Sequence, residues 1–183
     1  MSWPVDALTA GRRVRTAFKE WAAICRALAS GRQDVILRKG GITEPGGAFR
    51  PEYREFLLMP TFLHQSAESL VPQARELLVG IDDARPAEGS VVFTHSAEVV
   101  EVHRITDRSG LDPFRDRHVW AEQVVDERFH RWKDELHLLE VAVHCLPSPV
   151  TLPWRESYGG CRSWVELEQS VDLTGALPVK DQG

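Results

Sequence analysis

Cysteine is scarce in this chain of 183 residues. The three cysteines are Cys25, Cys145 and Cys161, and no two of them form a C-x-x-C pair. An odd number of cysteines without paired spacing argues against a disulfide framework. The first fifteen residues, MSWPVDALTAGRRVR, also lack the apolar core of a secretory signal peptide. These absences predict a reduced protein in the cytoplasm.

Long apolar runs and an excess of positive charge are absent as well. No stretch of the sequence approaches about 18 consecutive apolar residues, which excludes a membrane-spanning helix and predicts no membrane partner. The formal net charge is −5, so no basic field covers the whole chain and gathers nucleic acid. Any contact with phosphate groups therefore requires a local cluster of cations.

The composition that remains is that of an ordinary globular protein, with 43% hydrophobic and 27% charged residues. A chain of this length buries roughly 70% of the surface of its unfolded form, which is enough for one core. We expect a loosely ordered leader at 1–15, a single domain at 16–175 and a tail at 176–183.

Hydrophobic periodicity gives a coarse set of elements. Apolar residues recur every three or four positions from Thr16 to Ala29, which predicts a helix that buries Trp21 and ends at Gly31. Further helices are predicted over 61–80 and 118–132. Alternating or short apolar runs predict strands between them, including a strand pair over 135–153 that breaks at Pro147. This irregular mixture indicates an α+β fold with a mostly antiparallel sheet, or a small β-barrel, flanked by three or so helices.

The first candidate site is the run Arg38-Lys39-Gly40-Gly41, which follows a short apolar strand. Consecutive glycines allow backbone N–H groups to converge on an anion, and an arginine can bind phosphate through two parallel hydrogen bonds. The pattern lacks the G-x-x-x-x-G-K-[ST] spacing of a phosphate-binding P-loop. A hairpin turn with solvated cations explains the same residues, and both interpretations stay open.

The second candidate is the pair His64-Gln65, just after the apolar segment EFLLMPTF. Histidine can act as a general acid or base near neutral pH, and glutamine can read adenine through both amide atoms. Helix capping or a place at the edge of the core is the structural alternative.

The third candidate is the segment Tyr158-Gly-Gly-Cys161-Arg162-Ser-Trp164. Cys161 would be a nucleophile if a histidine lay within hydrogen-bonding reach, although a structural thiol is the more common role of cysteine. Arg162 and Trp164 suit stacking on a base, whereas most tryptophans fill cores.

Metal chemistry has little support in the sequence. His144, Cys145 and Cys161 lack the paired spacing of a zinc site, so we expect no metal and no cofactor. Asp34 and Glu55 imitate only part of the acidic pattern with which a restriction-type nuclease holds Mg²⁺, because no lysine stands at the required offset. Magnesium is expected only if the chain is such an enzyme.

Five segments in a fixed order resemble the domain-of-unknown-function family numbered 1802. They are AFKEWAAICRALASG, ILRKGGITE, EFLLMPTFLHQ, HVWAEQVVDER and YGGCRSWVEL, and the resemblance covers residues 16–170. The family has no established activity. Some of its members are joined to a restriction-type nuclease domain, so the resemblance implies a link to DNA restriction or defence and a nuclease as partner.

A second resemblance is to ASCH and other PUA-like domains, small β-barrels that bind RNA or modified bases. There too an N-terminal helix precedes a strand with the pattern G…LR, and a strand like AEVVEVHRITD follows later. This likeness implies a PUA-like barrel and a nucleic-acid ligand.

Two functions therefore stand open. The first is a recognition module for DNA, RNA or a nucleotide, whose ligand-binding residues are Arg38, Lys39, Gly40, Gly41, His64, Gln65, Arg162 and Trp164. The second is a small metal-dependent nuclease or hydrolase with His64, Glu55 or Cys161 as the catalytic group and Arg38 or Lys39 stabilising negative charge. No complete catalytic set can be written, which leaves enzymatic activity undecided and favours the module.

Overall fold

The computed structural model describes residues 12–39 and 54–179. The chain begins there with strand β1 (Arg13–Trp21), which leads directly into helix α1 (Ala22–Ala29). The prediction of a helix from Thr16 was therefore wrong for its first six residues. β1 pairs with strands on both sides, and this backbone pairing overrides the helical spacing of the apolar residues. Gly31, with φ of +70°, follows the end of the helix as expected.

Seven strands form one sheet. The others are β2 (Val35–Arg38), β3 (Glu55–Thr61), β4 (Ser90–Ile105), β5 (Leu136–Pro153), β6 (Trp164–Asp172) and β7 (Leu177–Pro178). The order is β2-β5-β4-β3-β1-β6, and β7 pairs with β5. Among the strand pairs of the described residues only β1–β3 is parallel, so the predicted α+β class with a mostly antiparallel sheet is confirmed.

The two edge strands of this sheet, β2 and β6, approach each other without pairing. A side-chain hydrogen bond of 2.6 Å from Arg38 Nη1 on β2 to Ser163 Oγ, just before β6, spans the gap. In the described part of the chain the sheet is therefore curled but not closed into a barrel by strand pairing.

The centre of the sheet is the long β4–β5 ribbon. The predicted break at Pro147 is a bulge instead, because the register steps from Phe93 opposite Val150 to His95 opposite Cys145. The prolines of this segment have no N–H to donate, and the bulge takes them out of the ladder.

The helical content is lower than predicted. The expected helix over 61–80 is replaced by two short 3-10 segments, Ala67–Ser69 and Pro72–Leu78. Helix α2 (Glu122–His130) begins four residues later than expected, because Trp120 is extended and forms a β-bridge with Leu70. The described ranges thus contain two α-helices and several short 3-10 helices, and none of these helices is long and apolar enough to cross a membrane.

The core has two clusters, one on each face of the sheet. The larger cluster lies between the sheet and the two α-helices and contains the fully buried Phe18, Phe56, Trp120 and Phe129. Trp21 is only partly buried and contacts the Trp120 ring edge-on at 5.0 Å. The expectation that Trp21 is buried was therefore wrong, and Trp120 occupies that central place.

Candidate functional site

The candidate site lies where β1 ends and α1 begins. Glu20, the second-last residue of β1, accepts a 2.8 Å hydrogen bond at Oε1 from the N–H of Trp21. Gln65 accepts another of 2.8 Å at its side-chain oxygen from the N–H of Ala23. The first N–H groups of a helix have no partner within the helix, so these two side chains satisfy them. Both side chains are thereby fixed at the start of α1.

Two half-buried arginines on other elements, Arg38 on β2 and Arg128 on α2, lie near enough to Glu20 to act on its charge. Burial raises the pKa of Glu20, against the opposing effects of Arg128, the Trp21 N–H group and Arg38. Burial lowers the pKa of both arginines, while Glu20 favours their charged forms. Among the ion pairs within residues 12–39 and 54–179, none includes Glu20, Arg38 or Arg128. The three charged groups influence one another without contact.

The two guanidinium groups contact aromatic rings rather than carboxylates of the described residues. The Arg128 guanidinium lies 3.8 Å from the centre of the Trp120 ring, and the Arg38 guanidinium lies 5.0 Å from that of Phe18. Cation–π contacts of this kind stabilise a positive charge and leave its N–H groups able to donate. We call Glu20, Arg38, Gln65, Trp120 and Arg128 the Glu20 cluster.

Three buried donors of the Glu20 cluster have no hydrogen-bond partner among the described residues. They are Arg38 Nε, Gln65 Nε2 and Trp120 Nε1. Nearly all buried polar atoms in proteins are hydrogen-bonded, so three exceptions in one cluster require an explanation. The cluster offers more donors than acceptors, and a ligand rich in acceptor oxygens or ring nitrogens would satisfy them.

Two cavities elsewhere in the described chain lack this feature. One, of about 240 Å³, lies beside α1 and includes Cys25 and His95; burial raises the pKa of Cys25 and lowers that of His95. The other, of about 310 Å³, includes Arg117 and Glu140, which already form an ion pair. None of the unpartnered buried atoms belongs to a residue that lines either cavity. The Glu20 cluster is therefore the stronger candidate.

Two of the residues predicted from the sequence, Arg38 and Gln65, lie in the Glu20 cluster. The hydrogen bond from Arg38 Nη1 to Ser163 Oγ joins β2 to the segment before β6. Trp164 in that segment packs 4.8 Å from the Phe18 ring and 5.0 Å from the Phe56 ring, so it forms part of the aromatic wall behind Arg38.

Lys39 has a different role from its neighbour Arg38. Its Nζ donates to the carbonyl oxygens of Phe129 at 2.7 Å and Glu135 at 2.8 Å, and also to that of Lys133. All three hydrogens of the ammonium group are thereby used, so Lys39 positions the turn after α2. The next predicted residues, Gly40 and Gly41, lie outside the described residues.

The candidate catalytic residues are not brought together. His64 is exposed in a left-handed conformation with φ of +61°, and Cys161 is exposed. Glu55 forms an ion pair with Arg12. No hydrogen bond among the described residues joins His64, Glu55 and Cys161 to one another. A nucleophile paired with its base, as covalent catalysis needs, is not formed by these three residues.

Arg162 is exposed in the same loop as Cys161. The loop itself is held by Lys19, whose Nζ donates to the carbonyl oxygens of Tyr158, Gly159 and Gly160 at 3.0, 3.2 and 2.7 Å. Arg162 lies close enough to Lys19 to help lower its pKa, for which burial is the main cause. The structure therefore places Arg162, a predicted ligand-binding residue, on the surface beside this anchored loop.

Sequence reasoning missed three members of the Glu20 cluster. Glu20 and Arg128 were placed on predicted helices, where charged residues normally face solvent, and Trp120 was treated as part of a helix. The one available signal was the sequence ERFHRW at 127–132, in which arginines alternate with aromatic residues.

Among the described residues one group could hold a metal ion, although the sequence predicted none. Ligand atoms of Glu101, His103 and Glu140 lie within 4.8 Å of one another. His103 Nε2 is 2.7 Å from Glu140 Oε1, and Arg117 Nη2 donates to Glu140 Oε2 at 2.8 Å. The positive charge of Arg117 opposes the binding of a cation at this place. Arg117 also donates to Asp34, whereas Glu55 pairs with Arg12, so these two predicted magnesium ligands are held by different arginines.

Comparisons with known proteins agree with this fold. The solved structure of an ASCH protein from Zymomonas mobilis is similar with a TM-score of 0.51 and 12% identity, over 84% of this chain and 87% of that one. A variant of that protein gives a TM-score of 0.49 and 14% identity, over 87% and 92%. At this identity the first likeness shows the ASCH-type fold alone. No curated protein matches.

The family comparison covers nearly the whole sequence. The family described as "Domain of unknown function (DUF1802)" matches residues 17–183. This range includes every member of the Glu20 cluster and agrees with the resemblance found in the sequence. The chain therefore belongs to the DUF1802 family.

Proposed function

We propose that this protein is a nucleic-acid or nucleotide recognition module and that the Glu20 cluster is its binding site. The observation that carries the proposal is the three buried donors of the cluster that have no partner among the described residues, Arg38 Nε, Gln65 Nε2 and Trp120 Nε1. They lie beside two arginines that form no ion pair with a described carboxylate. A base or a phosphate group supplies acceptors for such donors, and the aromatic wall suits a flat ring.

The charges of the cluster give each residue a role. Arg38 and Arg128 would donate to phosphate or to acceptor atoms of a base, because guanidinium groups make paired, charge-assisted hydrogen bonds. Glu20 would accept from an N–H donor of the base edge, which phosphate does not offer. An occupant with both acceptors and a donor would therefore complete the cluster better than an inorganic anion.

DNA is the first polymer to test, because the family resemblance links such domains to DNA restriction and defence, with a nuclease as partner. RNA is the second, since the resemblance of the sequence to ASCH and other PUA-like domains implies an RNA ligand. The net charge of −5 predicts that binding is local and sensitive to salt.

The test is fluorescence polarisation with labelled single-stranded DNA, single-stranded RNA and duplex DNA, at two salt concentrations. Wild-type protein should bind at least one probe at low salt. The Arg38→Met variant removes charge-assisted hydrogen bonds, each of which contributes about 1.5–3 kcal/mol. The affinity should therefore fall by about ten- to a hundredfold.

Arg155→Met is the matched control, because Arg155 is exposed and forms a surface ion pair with Glu168. The affinity of Arg155→Met for the probes should stay within about twofold of that of wild type, because losing an exposed, ion-paired cation has only a small electrostatic effect. Absence of binding to all three probes at low salt, or equal losses in the two variants, would contradict the proposal. Magnesium-dependent cleavage that Glu55→Gln abolishes would instead support the enzyme hypothesis.

A further inference from the structure

The turn that follows α2 presents a tryptophan to solvent. Trp132 is 82% exposed and has φ of +65°. The N–H of Lys133 donates to the carbonyl of Arg131 at 2.9 Å, so Trp132 is the central residue of a tight three-residue turn. A positive φ is rare for a bulky side chain, and the exposed ring has little packing in the monomer to offset it.

The turn is rigid despite its exposure. The N–H of Glu135 donates to the carbonyl of Phe129 at 3.2 Å, which closes the base of the turn. Lys39 donates to three carbonyl oxygens of the same turn, as described above. An unfavourable backbone conformation that the surroundings hold in place is a common property of binding sites. The backbone that carries the exposed ring is therefore held in place.

The surroundings of the ring are positively charged. The Arg131 guanidinium lies 4.5 Å from the centre of the Trp132 ring. The turn and the side chains that contact it carry four cations, Lys39, Arg104, Arg131 and Lys133, against two anions, Asp134 and Glu135. This local excess of positive charge contrasts with the net charge of −5 of the whole chain. A polyanion with flat apolar rings complements such a surface.

The turn is also tied to the Glu20 cluster. Lys39, which holds the turn, follows Arg38 directly, and Trp132 lies four residues after Arg128. Consecutive Cα atoms are about 3.8 Å apart, so the Cα atoms of Trp132 and Arg128 are within roughly 15 Å. A neighbouring nucleotide of the same strand can span such a distance.

We propose that Trp132 is a stacking platform for a base of a single-stranded nucleic acid, with Arg131 and Lys133 beside its phosphate groups. This inference rests on the proposed function of the Glu20 cluster and adds a second contact to it. The platform receives an unpaired nucleotide next to the one held by the cluster. Base stacking on tryptophan tolerates any base, because every base has a flat face. The platform would favour single strands over duplex without selecting sequence.

The test compares Trp132→Ala, Trp132→Gly and Trp132→Phe with wild type, using a labelled twelve-nucleotide single strand and a duplex of the same sequence. We expect Trp132→Ala to lower the affinity for the single strand by about five- to a hundredfold, with Trp132→Phe retaining most of it. Trp132→Gly should lower the affinity equally while keeping or raising the Tm, because glycine accepts the positive φ. Trp154→Ala is the matched control: Trp154 is 42% exposed and packs near Tyr158.

The outcomes separate the two proposals. Wild-type binding that Arg38→Met weakens and Trp132→Ala leaves unchanged overturns the platform alone. Absence of wild-type binding to any oligonucleotide overturns both. A Tm that falls by several degrees in Trp132→Gly identifies the ring as structural and contradicts the platform. A dimer in size-exclusion chromatography that Trp132→Ala dissociates, with unchanged affinity for the single strand, assigns the ring to a protein contact instead.

Discussion

Half-buried arginines in two regions of this protein differ in how completely carboxylates compensate their charges. Arg117 donates to Asp34 Oδ1 and Glu140 Oε2, both at 2.8 Å, and its pKa is raised chiefly by the hydrogen bond to Asp34. Arg38 and Arg128 rest on aromatic rings and form no ion pair with a carboxylate in the part of the chain that the structure describes, and burial lowers the pKa of each.

This difference separates a structural network from a binding site. A charge whose partners are in place contributes to the stability of the fold, and removing one partner leaves the others buried and unsatisfied. A buried charge without an ion-pair partner costs desolvation free energy, but those of its donors that remain unused are available to a ligand. Neighbouring residues show the same contrast, since Lys39 uses all three donors on carbonyl oxygens and Arg38 leaves Nε unpartnered.

The largest expected effect comes from removing the ring beneath Arg128. Trp120 is 1% exposed, so Trp120→Ala should lower the free energy of unfolding by about 3–5 kcal/mol, as truncation of a buried aromatic residue does. Phe114, the half-buried ring under Arg117, provides the matched control. Phe114→Ala should lower the free energy of unfolding by less than Trp120→Ala does. Urea denaturation measures both. Equal losses of unfolding free energy would contradict this prediction, because they would mean that the Trp120 and Phe114 rings contribute equally to stability.

The second prediction tests the contrast between the arginines themselves. Arg117→Met leaves two carboxylates without their donor, so it should cost about 1–3 kcal/mol of unfolding free energy. Arg38→Met removes one hydrogen bond, to Ser163 Oγ, and leaves no described carboxylate without its donor, so it should cost less, about 0.5–1.5 kcal/mol.

The measurement is the urea midpoint at neutral pH, with the slope of the transition unchanged in both variants. A loss in Arg38→Met as large as that in Arg117→Met would show that the Glu20 cluster stabilises the fold. That result would remove the distinction between the two groups.

The smallest effects are expected in the pH dependence of stability. There Glu20, in the Glu20 cluster, and Glu140, a partner of Arg117, should contribute with opposite signs. The folded-state pKa of Glu20 is raised by burial above its ordinary value of 4.5. The folded state therefore favours the protonated form, and stability present below about pH 4.5 is lost as the pH rises through the folded pKa. Glu20→Gln should melt at a higher temperature than wild type at neutral pH, with a difference that shrinks on acidification.

Glu140 is the matched case, since the hydrogen bond from Arg117 is the main cause of its lowered pKa. Its contribution to stability is present above the ordinary value of 4.5 and is lost as the pH falls through the folded pKa. Glu140→Gln should therefore melt at a lower temperature than wild type at neutral pH. Thermal melts from pH 4 to pH 8 would contradict the comparison if both variants shifted in the same direction.

The sequence by itself determined the fold class and part of the site. Alternating apolar runs and turn residues are local signals, so the α+β class and most strands could be predicted from them. Arg38 and Gln65 could be named as candidates from the sequence because each follows or ends a recognisable strand. The sequence also indicated that positive charge must be local, since the whole chain carries −5.

Only the tertiary structure decided that residues 16–21 form a strand and that Glu20, Arg128 and Trp120 meet. The apolar spacing before α1 fits a helix, and pairing with β3 and β6, which lie far along the chain, overrides it. Whether a buried charge finds a partner likewise depends on which distant elements pack against it. That information is absent from any local stretch of sequence, because burial and hydrogen bonding are properties of the folded chain as a whole.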